Sequence, residues 1–153
     1  MAWNRVYRLL DNIISLDENQ IINEILSDKG VQEFIIDLNT QGQLFEKGID
    51  SLGVSLGDYA PTTIEGTVNF EGKKEKGQRF DHITLNDTGE FYRSFKIVLS
   101  DKSFRIVADG QKDDVNLLDE FRDILGLTDE NLQLVIDAIR KKIIPIIKTK
   151  IRS

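Results

Sequence analysis

The sequence predicts an α+β fold: N-terminal helices, a small antiparallel sheet with a central β-hairpin, and a long C-terminal helix. Three observations carry this. Apolar residues recur at three- and four-residue spacing through the first third of the chain and again through the last, the signature of helices with one buried face. The helical period vanishes after Gly48, where Asp50-Ser51, Gly53, Gly57 and Pro61 form turns. Two β-type runs, Lys96-Ile97-Val98-Leu99 and Ser103-Phe104-Arg105-Ile106-Val107-Ala108, flank Ser100-Asp101-Lys102 as the arms of a hairpin.

Element by element, Val6, Leu9, Leu10, Ile13 and Ile14 define the core face of a first helix, with Trp3 and Tyr7 as packing residues. Asp17-Glu18-Asn19-Gln20 is a capping-box pattern ahead of Ile21, Ile22, Ile25 and Leu26, and Asp28-Lys29-Gly30 reads as that helix's stop. A third run carries Val31, Phe34, Ile35, Leu38, Leu44 and Phe45; Gly42, about 1 kcal/mol worse than Ala in a helix, is expected to break it. Thr62 to Phe70 alternates Ile64, Val68 and Phe70 with polar residues and predicts a strand, and Lys73-Lys74-Glu75-Lys76-Gly77 reads as a solvated tip. Asp87-Thr88-Gly89-Glu90 predicts a capped helix carrying Phe91, Tyr92 and Phe95, so that Asp87→Ala should cost about 0.5–2 kcal/mol. Val115, Leu117, Leu118 and Phe121 open an amphipathic run that closes at Leu125-Gly126. Thr128 then caps the last helix, in which Pro145 predicts a kink or break.

The 153 residues fit one domain, with residues 1–30 as a helical extension and 140–153 as a basic tail. The absence of cysteine excludes disulfides, thiolate metal sites and cysteine nucleophiles. The apolar runs fall far short of the roughly 20 residues that span a bilayer. Met1-Ala2-Trp3-Asn4-Arg5, with Arg8 and Asp11 following, does not read as a signal peptide. From Arg140 onward there are six basic residues (Arg140, Lys141, Lys142, Lys148, Lys150 and Arg152) and no acidic one, so the total of −6 leaves −12 on the rest. The tail has two readings: a surface for an acidic partner such as nucleic acid, or basic residues placed at the negative end of their own helix dipole.

No catalytic constellation emerges. Gly53-Val54-Ser55-Leu56-Gly57 matches the nucleophile-elbow pattern, but a helix precedes it and turn residues follow, whereas the motif requires a strand before and a helix after. His82, beside Asp81, is the single histidine, and a metal needs three or four convergent ligands. The glycines at 48, 53 and 57 lack the Lys-Ser/Thr of a phosphate loop, and Asp50 and Asp58 lack the alternating oxygens of a calcium loop. No cofactor is implied. Lys73, Lys74, Lys76 and Arg79 form a basic tip without interleaved aromatics, and the acidic bulk of the chain argues against primary nucleic-acid binding.

Three stretches carry a resemblance. The first is Phe45…Gly53-Val54-Ser55-Leu56-Gly57-Asp58-Tyr59-Ala60-Pro61-Thr62-Thr63. The second is Leu85-Asn86-Asp87-Thr88-Gly89-Glu90-Phe91-Tyr92-Arg93-Ser94-Phe95, followed by the hairpin. The third is Ile124-Leu125-Gly126-Leu127-Thr128-Asp129-Glu130-Asn131. In order and spacing this resembles the bacteriophage tail-completion, or virion morphogenesis, proteins, over about two-thirds of the chain from Leu44 to Ile139. The extra N-terminal helices and the tail containing Pro145 depart from that pattern. The resemblance implies a non-enzymatic virion protein at the head–tail junction or tail end. It would assemble in the host cytoplasm as a ring of identical copies and meet portal, connector or tail proteins. Partner contacts are expected at Asp58 and Tyr59, at Lys73, Lys74, Lys76 and Arg79, and at the six basic residues of the tail. Packaged DNA is a further expected contact, and no membrane is. The alternative is an interaction module that binds nucleic acid or an acidic partner through the tail; a hydrolase using Ser55 ranks third.

Overall fold

The computed structural model describes residues 2–59, 79–101 and 103–152. The expected strand from Thr62 to Phe70 and the tip residues Lys73, Lys74 and Lys76 lie outside them. The fold is α+β. Helices α1 (Ala2–Ile14), α2 (Glu18–Leu26) and α3 (Lys29–Asp37) lead into a π-helix, π1 (Leu38–Lys47). A loop follows, then a single helical turn α4 (Glu90–Arg93) and the hairpin β1 (Lys96–Ser100) and β2 (Ser103–Val107). Two minimal strands, β3 (Gln111–Lys112) and β4 (Val115–Asn116), precede the short α5 (Leu117–Glu120) and the long α6 (Asp129–Arg152).

The capping pattern at Asp17 forms: its carboxylate accepts from the backbone N–H of Asn19 and Gln20. Asp28 does not belong to a stop. Helix α2 ends one residue earlier at Ser27, and the Asp28 carboxylate accepts from the N–H of Val31, capping α3, so Gly30 lies inside the first turn of α3. Gly42 does not break the third helix. The chain instead widens to π geometry around it and ends at Gly48, whose φ of 60° is the left-handed conformation glycine adopts freely.

The reason for the wide helix lies in its side chains. Asn39 and Gln43 are fully buried and face the segment 124–128. Asn39 donates to the Ile124 carbonyl at 2.9 Å and accepts from the Gly126 N–H at 3.0 Å. Gln43 donates to the Gly126 carbonyl at 2.9 Å and accepts from the Thr128 N–H at 2.8 Å. Two side-chain amides thus bind the backbone of 124–128 as a neighbouring strand would. Asn131 adds a bond from its amide to Gln43 Oε1 at 2.8 Å. The Thr128 hydroxyl then accepts from Asn131 N–H, starting α6 as the sequence predicts.

Helix α6 runs through Pro145 without a break. The missing N–H costs one intrahelical bond. Docking offsets it: Ile139, Ile143, Ile146 and Ile147 pack on the core, Lys150 faces Glu24 of the antiparallel α2 and Lys142 faces Asp28 at the start of α3, and Asn12 donates to the Ile151 carbonyl. The core itself gathers Ile21, Ile25, Val31, Ile35, Leu44, Phe95, Ile106, Ile124 and Val135. Helix α2, within the segment 1–30, is therefore integral to it. Helix α1 is different. Of its expected core face, Val6, Leu10 and Ile13 are exposed and Leu9 is half-buried, and Tyr7, expected to pack, is exposed; the side chains of Trp3 and Ile14 lie outside those described. Asn12 ties the helix to the Ile151 carbonyl, and the flank bearing Asn12 and the half-buried Leu9 is less exposed than the stripe of Val6, Leu10 and Ile13.

The hairpin forms as predicted, with Ser100 opposite Ser103. Ile97 pairs with Ile106 and Leu99 with Phe104 on the inward face, and Val98 with Arg105 outside. Phe91, Tyr92 and Phe95 cluster beneath it, the rings of Phe91 and Phe95 edge to face at 5.1 Å. Two expectations fail nearby. The residue at the start of α4 is Gly89 in the left-handed conformation, and Thr88 Oγ1 accepts from Glu90 N–H, while Asp87 takes the Lys112 ammonium at 2.8 Å. The run from Val115 is likewise no amphipathic helix. Val115 and Asn116 pair with Gln111 and Lys112, and only one helical turn follows before Phe121 leaves helical geometry.

These placements separate three substitutions. Gln43→Ala orphans the Thr128 N–H and the Gly126 carbonyl and is expected to lower stability by about 2–4 kcal/mol in urea unfolding. Asp17→Ala is expected to cost about 0.5–2 kcal/mol. Asp87→Ala, now the loss of a half-exposed ion pair, is expected to cost under about 1 kcal/mol, and a larger drop would contradict the assignment.

Candidate docking surfaces

The loop from Gly48 to Tyr59 is short of regular structure but fully organised. Asp50 N–H donates to the Val54 carbonyl, and its carboxylate accepts from the N–H groups of Leu52 at 2.9 Å and Val54 at 2.8 Å. Ile49 bridges Ser55, Leu56 N–H returns to the Gly48 carbonyl, and Ser51 N–H reaches the Asp123 carbonyl beside the 124–128 segment. Gly48 is required twice over. Its φ is positive, and a Cβ there would sit 2.3 Å from Cδ2 of His82. The product is a braced turn whose tip presents Leu52, 71% exposed, and Val54, 58% exposed.

The loop's chemistry-bearing residues serve this bracing. Ser55 Oγ accepts from Gly57 N–H. His82 donates from Nε2 to the Phe45 carbonyl at 2.7 Å, and its Nδ1 lies 3.3 Å from Asp81. Asp81 also receives Arg79 in a two-pronged contact at 2.9 and 3.1 Å, and Arg79 reaches Glu46 at 2.8 Å. The Arg79 guanidinium, through its hydrogen bonds and charge, holds the Asp81 carboxyl below the usual carboxylate range. Arg79, expected as part of a partner-facing basic tip, thus binds two carboxylates of its own chain.

Asp58 is exposed, whereas Tyr59 is half-buried with its hydroxyl turned inward to Thr84. Thr84, fully buried, is a junction. Its N–H donates to Tyr59 Oη, its hydroxyl accepts from Asn86 N–H, and its carbonyl accepts from Tyr92 Oη. Burial pushes the Tyr92 phenol well above its ordinary value. These bonds hold Leu85 at φ 58°, a left-handed conformation unfavourable for a side chain with a Cβ. Between Leu85, Asp87, Phe91 and Lys112 lies a half-open groove of about 230 Å³, smaller than the roughly 300–1,000 Å³ of small-molecule sites and flanked by the Asp87–Lys112 pair. Among the described residues no group of three or more His, Cys, Asp or Glu could hold a metal ion.

The basic tail is partly engaged within the chain. Arg140 pairs with Asp137 at 3.5 Å, Lys142 with Asp28 at 4.0 Å and Lys150 with Glu24 at 3.8 Å, while Lys141, Lys148 and Arg152 are exposed. The expected contact residues therefore do not converge on one surface: Asp58 lies in the loop after π1, the tail at the far end of α6. Leu52 and Val54 were missed by sequence reasoning. The signal that could have found them is two apolar residues flanking a turn glycine, outside any helix or strand period.

No family model matches the chain, and neither the curated proteins nor the solved structures searched include a match. Among the described residues no helix is long and apolar enough to cross a membrane.

The contact of Arg79 with Asp81 sets a pH signature. A carboxylate with a depressed pKa contributes stability that is fully present above its unfolded value of about 3.9 and is lost as pH falls through the lower folded value. The Asp81 carboxyl carbon is expected to titrate below that range by NMR, and Arg79→Gln to move it upward. An unchanged titration in the variant would refute the assignment.

Proposed function

We propose that the chain is a structural protein of a bacteriophage virion, a tail-completion or head–tail connector component that acts by assembling in identical copies into a ring. The observation that carries this reading is the braced apolar tip at Leu52 and Val54, inside the stretch whose motif order resembles the tail-completion proteins. A turn held by its own backbone bonds loses little freedom on binding, which suits a docking element. The remaining residues of the resemblance serve scaffold roles: Thr84, Phe91, Tyr92 and Phe95 hold the hairpin to the loop, and Gly126 and Thr128 are bound by π1. Ser55 and His82 act in the same way, which favours a non-enzymatic protein.

In this reading the partners are further copies of the chain and portal, connector or tail proteins, and the site of action is the virion. A second reading, an interaction module that binds nucleic acid or an acidic partner through the tail, draws on the exposure of Lys141, Lys148 and Arg152. The engagement of Lys142 and Lys150 by Glu24 and Asp28 weighs toward the first.

Peptide mass spectrometry on purified particles from the genome that encodes this chain tests the proposal. The chain is expected in the particles in the few copies of a junction ring, and its absence would sink the reading. DNA binding by the free chain is expected to be weak at physiological salt. A tight affinity that falls steeply with salt and is lost in Lys141→Glu/Lys148→Glu would put the second reading first.

A further inference from the structure

We draw no further inference here: the strongest candidate, the exposed apolar patch along α1 at Val6, Leu10 and Ile13, carries nothing because nothing in the structure shows what covers it.

Discussion

The structure depends on the way Asn39 and Gln43 bind the backbone of residues 124–128. These are long-range bonds, joining residues more than eighty apart in sequence, and they are made in a fully buried environment. There each amide satisfies a donor and an acceptor that would otherwise be orphaned, and orphaned groups carry the full desolvation penalty. Three consequences follow from that one interaction. It gives the chain a reason to accept π geometry over Leu38–Lys47. It sets the position of Thr128, whose N–H bonds Gln43 and whose hydroxyl caps α6, so the long helix starts in a fixed direction. It also fixes the segment beside Asp123, whose carbonyl receives Ser51, so the exposed tip inherits its position from the same clamp.

Most elements were legible because their cause is local. Asp17 and Thr128 lie one residue ahead of the helices they cap, the apolar period of 21–26 and 31–35 is unambiguous, and the hairpin is marked by two β-type runs around a polar turn. The failures share a non-local cause. A π-helix looks like an α-helix with a weak residue, Gly42, until the distant partners of Asn39 and Gln43 are known. Asp87 has the spacing of a cap, but Lys112, 25 positions on, draws its carboxylate away. Pro145 has the chemistry of a breaker, yet with packing on both sides of it α6 continues through. Val115 to Phe121 has a helical period, and pairing of β4 with β3 overrides it.

The candidate surface was less legible than the fold. Charge drew attention to residues that proved partly committed within the chain: Arg79 to Glu46 and Asp81, Lys142 to Asp28, Lys150 to Glu24. Exposed ion pairs of this kind contribute little stability. Their effect here is to neutralise groups that would otherwise advertise a binding site. The two apolar surfaces escaped notice for the opposite reason. Leu52 and Val54 fall in a turn, where apolar residues carry no period to read, and the α1 stripe has the period of a buried helix while facing out. Sequence shows that a helix is amphipathic; the Asn12 bond to Ile151 and the burial along α1 show which way it is rolled.

That roll decides which face of α1 meets solvent. A helix of thirteen residues is marginal on its own in water. An exposed apolar stripe on such a helix gains nothing from solvent and exposes the monomer to non-specific association. Rolling α1 to bury Val6, Leu10 and Ile13 would stabilise the monomer, but the Asn12 bond to Ile151 holds the other flank down. The tip shows the same arrangement. Asp50 and the Ile49–Ser55 bridge satisfy the backbone of the turn, yet leave the two apolar side chains at its apex without cover. Both surfaces thus combine a satisfied, ordered backbone with apolar side chains directed at solvent. At both places the local conformation is held by backbone bonds and not by burial of these side chains.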